Sequence, residues 1–169
     1  MKTRIIVAAI GIPVLLIVIF FLPLWVFACL AAAVCALAAW ELIKCAAPES
    51  NLRLRIYAMV AAAAIAVSSA FDFYLTVYAA VLFLLVLVCF CEMIASFREE
   101  LHMSFVTLVI AVMAGAVIPL LLSALVRLGS VGTRATLLLP FAVAFASDSG
   151  AYFAGMFLGR HKITPHLSP

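Results

Sequence analysis

Long stretches free of Asp, Glu, Lys, Arg and His dominate this chain, and charged residues sit in the short interruptions between them. The longest uncharged stretch, residues 5–40, holds 36 residues. A bilayer's hydrocarbon core is about 30 Å thick and takes about 20 helical residues to cross. The stretch is too long for one crossing and suits two, with Pro23 at the turn. The pattern predicts six spans, at about residues 5–21, 24–43, 56–71, 73–91, 103–126 and 136–158. The third is short, so Arg53 and Arg55 are expected to snorkel at one end, and Asp72 marks the turn after it. A polar segment with Glu92, Arg98, Glu99, Glu100 and His102 separates the fourth span from the fifth, and Arg127 and Arg134 bracket a Gly/Ser/Thr loop before the sixth. Backbone amides in lipid must bond within their own segment, so these spans are helices. The predicted fold class is all-α, a polytopic membrane helix bundle forming one membrane domain over residues 1–169.

Composition narrows the class further. Hydrophobic residues make up 70% of the chain and charged residues 10%, with a mean hydropathy of +1.39. A soluble domain runs nearer 45–50% apolar and about 25% charged. An ordinary soluble enzyme domain, a disordered chain, a coiled coil and a disulfide-stapled secreted domain are thereby excluded. The net charge of +3 comes from scattered basic residues, which argues against a nucleic-acid partner. With the N-terminus inside, inner segments hold Lys2, Arg4, Lys44, Arg53, Arg55, Arg98, Arg160 and Lys162, and outer loops hold Arg127 and Arg134. That bias places the N-terminus and the tail after the sixth span on the cytoplasmic side. The first apolar run far exceeds the 7–15 residues of a signal-peptide core, so it reads as a retained helix. The cysteines, Cys29, Cys35, Cys45, Cys89 and Cys91, form no C-x-x-C pair and read as small apolar residues packed between helices. Glu41, beside Trp40 at the end of the second span, is expected to pair with Lys44 or Arg53.

Asp148 breaks the pattern, because it lies inside the sixth apolar segment. An aspartate at the centre of a membrane helix costs about 2.5–3.5 kcal/mol on insertion scales, and such acids mark functional sites by default. It needs a helix dipole, a cation or a wet cavity; the alternative is a structural carboxylate paired with a loop arginine. Asp148, Tyr152, Gly155 and Gly159 are spaced 4, 3 and 4, which sets them on one helical stripe. Gly155 and Gly159 form a small-xxx-small pair suited to close helix packing. A rival geometry breaks the span at Ser147-Asp148-Ser149-Gly150, with a side chain capping the second half-helix. Arg160, His161 and Lys162 follow, then Thr164, His166 and Ser168. Cations there are either inside-positive anchors or phosphate ligands.

The stretch Asp148-Ser149-Gly150-Ala151-Tyr152-Phe153-Ala154-Gly155, then Gly159-Arg160-His161-Lys162-Ile163, Pro165 and Leu167-Ser168-Pro169, resembles the phosphatidate cytidylyltransferases. The opening Lys2-Thr3-Arg4-Ile5 and the Ala38-Ala39-Trp40-Glu41 segment are similar to that family more weakly. The resemblance covers the whole chain as an N-terminal portion of a longer enzyme. It implies a multi-helix, commonly homodimeric enzyme of the inner membrane, which condenses CTP with phosphatidic acid, using magnesium, to give CDP-diacylglycerol and diphosphate. Carried over, Asp148 would help place the metal and phosphates, and Tyr152 would line the same cytoplasm-facing cavity. Arg160, His161, Lys162 and Ser168 would bind nucleotide and phosphate. Met156 stands where members often carry a basic residue, which removes one expected phosphate contact.

The residues support a metal-assisted transfer only in part. Magnesium is usually held by one or two carboxylates plus substrate phosphates, and the chain offers one acid deep in a span, Asp148, and no P-loop. These 169 residues alone are therefore expected to lack turnover. Two other readings stay open. One is a CTP-dependent polyprenol or lipid-alcohol kinase, which would release CDP. The other is a transporter or scaffold subunit with Asp148 as a proton or cation site.

Overall fold

A computed structural model describes the backbone of residues 2–97 and 103–158, and the side chains of residues 9–97 and 103–157. It contains α1 (Lys2–Phe21), α2 (Leu24–Ala46), α3 (Leu52–Ser68), α4 (Tyr74–Ser96), α5 (Phe105–Val112), a π-helical turn (Met113–Val117), α6 (Ile118–Val131) and α7 (Arg134–Leu158). α5, the π turn and α6 run on as one 27-residue rod, Phe105–Val131. Six rods thus stand where six apolar runs lie in the sequence, and no strand occurs among the described residues. Four rods, α2, α4, α5–α6 and α7, are long and apolar enough to cross a membrane. Two expected spans fall short of that measure. The described apolar part of α1 is Ala9–Phe21, and α3 has 17 residues, about 26 Å at 1.5 Å per residue.

The short helix is the centre of the bundle. α3 packs against α2, α4, the π turn and α6. Its buried residues are mostly alanines, Ala58, Ala61, Ala62 and Ala66, with Leu54 and Ile65. Small side chains let backbones approach closely, which is how helices associate where lipid tails are as apolar as the residues. Enclosed by neighbours, α3 is not obliged to match the bilayer's thickness. Its ends have local causes. α3 starts at Leu52, ahead of the expected start, because Arg55 turns back and holds the preceding loop, its Nη2 donating to the Pro48 carbonyl at 2.7 Å and its Nε to Ser50 Oγ at 3.2 Å. It stops at Ser68, where the hydroxyls of Ser68 and Ser69 donate to the carbonyls of Ile65 and Ala66 at 2.9 and 2.6 Å.

The π turn has a sequence cause as well. Pro119 near the start of α6 has no N–H and, in a regular helix, its ring would clash with the Gly115 carbonyl four residues back. Widening the turn removes that clash, and the Ile118 N–H donates to the Met113 carbonyl five residues back. The widened turn presses on α3. A Cβ at Gly115 would lie 3.0 Å from Ala58 Cα and 2.8 Å from Leu85 Cδ2.

Large apolar side chains such as Leu75, Phe83, Leu84 and Phe157 face outward, the reverse of a soluble protein and the arrangement lipid requires. The two arginines of the 127–134 segment are tied to the bundle. Arg134 Nη1 donates to the Phe20 carbonyl at the C-terminal end of α1, and the Arg127 guanidinium carbon lies 4.6 Å from the centroid of the Tyr74 ring. Two sequence expectations need correction. Glu41 forms no ion pair with Lys44 or Arg53 among the described residues, and the partner of neighbouring Trp40 is Arg55, 5.9 Å from the ring centroid. Of the five free cysteines only Cys35 and Cys89 are packed in the core; Cys29, Cys45 and Cys91 are exposed.

Gly115→Val is expected to destabilise the bundle by about 1–3 kcal/mol, the usual cost of overpacking, because backbone stands against the added atoms. Thermal unfolding of purified protein in detergent measures this, and an unchanged Tm would contradict the contact.

Candidate functional site

α7 carries the candidate site, and among the described residues it is anchored at its N-terminal end only. Thr133 Oγ1 accepts from the Thr136 N–H at 3.3 Å and starts the helix. In the first turns Leu137 is buried, and Leu138 and Phe141 pack onto a cluster containing Ile19, Phe27, Ala28 and Val126. Beyond Phe141 every residue from 142 to 157 is exposed. The helix is continuous through Ser147-Asp148-Ser149-Gly150, so the broken-span geometry is not adopted. None of these residues needs a turn: the apolar run on both sides sustains helix, and in lipid an interruption would free backbone groups with nothing to bond.

Phase along α7 decides which way the acid points. At about 100° per residue, Asp148 lies about 20° short of two full turns beyond Phe141, and Tyr152 about 20° past three. Both stand on the stripe by which Leu137 and Phe141 dock on the bundle, not on the opposite, lipid-facing side. Asp148 lies roughly 10 Å beyond Phe141 along the axis, in the open half of α7. The stripe is therefore inward in phase and uncovered in fact.

Among the described residues nothing bonds to the Asp148 carboxylate. The loop arginines that could have neutralised it are engaged elsewhere, Arg127 on Tyr74 and Arg134 on Phe20. Arg134 starts α7, some 21 Å along the axis from Asp148. The reading of Asp148 as a structural carboxylate paired with a loop arginine is not what the fold provides. The Tyr152 ring meets Phe153 edge to face at 5.6 Å, and Phe153 stacks on Phe157 at 6.3 Å. Tyr152 thus sets a ring one turn beyond the acid on its own stripe, while Phe153 and Phe157 lie about 140° and 180° round the helix from Asp148. Gly155 has nothing within 4 Å of where a Cβ would sit, so no helix among the described residues uses it for close approach. Gly159, Arg160, His161, Lys162 and Ser168 lie outside the described residues.

No three His, Cys, Asp or Glu side chains converge into a metal-binding group among the described residues. Asp148 offers one hard oxygen ligand. A divalent cation there would be completed by a substrate's phosphate oxygens and water, a donor set that magnesium accepts. The sequence reading overlooked a second polar feature. Asn51, Arg53 and Glu92 line a cavity at the ends of α3 and α4. Its residues come from two elements 40 positions apart, so no local motif announces it.

No curated protein and no solved structure matches the chain. A family model described as "Cytidylyltransferase family" matches residues 2–169. With that match running across nearly every residue, and an intramembrane acid on the inward stripe of its last described helix, the chain belongs to the cytidylyltransferase family.

Proposed function

We propose that the protein is a phosphatidate cytidylyltransferase, joining CTP and phosphatidate to give CDP-diacylglycerol and diphosphate. The observation that carries the reading is the unpaired Asp148 carboxylate inside an apolar helix of a cytidylyltransferase-family chain. Family membership supports a CTP-using transferase. Large apolar side chains exposed on the outside of the bundle, such as Leu75, Phe83 and Leu84, support a second substrate that itself resides in the membrane. A phosphate-headed lipid meets both demands, since its tails stay in lipid while its phosphate reaches the polar stripe.

The transfer is a substitution at phosphorus. A phosphatidate oxygen attacks the α-phosphorus of CTP, a P–O bond forms, and the bond to the α,β-bridging oxygen breaks. Its electron pair leaves on diphosphate. The lipid phosphate is already ionised, so the step needs little proton removal, and catalysis rests on positioning and charge stabilisation. Asp148 is assigned to holding a magnesium ion rather than to acting as a base. Such an ion would neutralise phosphate charge and anchor the departing diphosphate. Tyr152, one turn beyond Asp148 on the same stripe, would border the bound phosphates. Arg160, His161, Lys162 and Ser168, close after α7 in sequence, would hold the nucleotide phosphates. The excess of Lys and Arg in the segments assigned inside supports a cytoplasmic face for this site, where CTP is available, and an inner-membrane location.

In membranes from cells expressing the protein, label from the α-phosphate of CTP should enter lipid, with one diphosphate released per product. Label from the γ-phosphate entering lipid, with release of CDP, would instead show a lipid kinase. Asp148→Asn should lower turnover at least about 100-fold, the scale on which removing one charge-stabilising group acts, while membrane insertion is unchanged. Normal turnover in Asp148→Asn would overturn the assignment of that residue.

A further inference from the structure

At the end of the bundle where α2 turns into α3, a cavity of about 410 Å³ is lined by Asn51, Leu52, Arg53, Glu92, Ala95 and Ser96. Among the described residues its lining holds one cation and one carboxylate, yet Arg53 and Glu92 do not form an ion pair. Opposite charges on flexible side chains around one space ordinarily close on each other. Here both walls are held. Arg55 pins the loop before Arg53, donating to the Pro48 carbonyl and to Ser50 Oγ, and packs over Trp40. On the other wall, Ser96 Oγ donates to the Met93 carbonyl at 2.8 Å and accepts from the Met103 N–H at 3.0 Å. That bond fixes the last turn of α4, which carries Glu92, to the chain that begins α5.

A ligand that satisfies both charges must itself be bipolar. A purely anionic group would meet Glu92, and a purely cationic one would meet Arg53. A phosphate fits Arg53 and the Asn51 amide, and an ammonium fits Glu92. The ammonium should be one with N–H donors, because a carboxylate accepts hydrogen bonds. Quaternary ammonium groups are recognised by aromatic cages, and no aromatic side chain lines this cavity among the described residues. Leu52 in the lining, Ile94 on α4 and Phe97 just after it are exposed apolar residues at the same end of the chain's α3 and α4 segments.

We propose that this cavity binds a phosphate–ammonium zwitterion, the headgroup of an ethanolamine-type phospholipid, with the phosphate on Arg53 and Asn51 and the ammonium on Glu92. The site is separate from the Asp148 stripe and does not rest on the proposed reaction. The same chemistry occurs in soluble phosphoethanolamine, and the experiment separates the two sources.

The test uses purified protein in nanodiscs of equal parts phosphatidylethanolamine, phosphatidylcholine and phosphatidylglycerol, with lipids retained on the protein read by native mass spectrometry. Phosphatidylethanolamine should be retained about five- to tenfold over the other two. Glu92→Gln, which keeps shape and removes the charge, should bring it down to the phosphatidylcholine level. Arg53→Gln, at an exposed position, should reduce its retention to a similar degree. Soluble phosphoethanolamine that displaces the lipid at millimolar concentration identifies the headgroup alone as sufficient. Displacement only by added phosphatidylethanolamine identifies the lipid as the ligand. Equal retention of all three lipids by the unaltered protein, or ethanolamine selectivity that survives both substitutions, overturns the proposal.

Discussion

Helices in hydrocarbon gain nothing from hiding apolar surface, and so this bundle depends on how closely backbones can approach. The critical approach is between Gly115 and Ala58. α3 offers alanines on its buried face, and the π turn presents its glycine there. Around that contact α2, α4 and α6 assemble, and the shortest rod becomes the most enclosed one. The π turn that enables this follows from Pro119, whose missing N–H and bulky ring forbid regular helix at that point. A residue usually read as a defect thus widens the turn at the place where close packing is required.

Against that tight centre, α7 is loosely held. Its first turns dock through Leu137 and Phe141, and the rest of its inward stripe carries Asp148 and Tyr152, both exposed among the described residues. Dense packing of the core and an uncovered polar stripe are complementary needs of one molecule. A carboxylate destined for cations and phosphates has to be positioned by the scaffold without being neutralised by it. The arginine that begins α7 and the one before it illustrate this, since Arg134 and Arg127 are spent on a helix-end carbonyl and an aromatic ring at the far end of the bundle.

The elements of this fold are legible from charge spacing because lipid leaves the backbone few options. The interruptions at Pro23 and Asp72 fall between rods, whereas of the expected 127–134 loop only residues 132 and 133 do, because α6 stays helical to Val131 and Arg134 already begins α7. Boundaries set by side-chain hydrogen bonds were less legible. Arg55 and the Ser68–Ser69 pair shift α3 toward the N-terminus, and those bonds are visible only once the chain is folded. The unusual standing of Asp148 could be seen in one dimension, as an acid in an apolar run. Pairings across elements could not: Glu41 was expected to pair locally, while Trp40 met Arg55 from the next helix.

Sequence by itself determined that the chain is helical and membrane-embedded, that it has six rods, and that one carboxylate stands inside an apolar segment. These follow from periodicity and from the cost of unsatisfied polar groups in lipid, both local quantities. Tertiary structure alone decided which helix is central, that the acid-bearing span is unbroken, which side of α7 shares its phase with the docking face, and that Arg53 and Glu92 border one cavity. Those outcomes depend on contacts between residues far apart along the chain, where small differences in side-chain size and backbone approach select the arrangement and no short stretch of sequence encodes it.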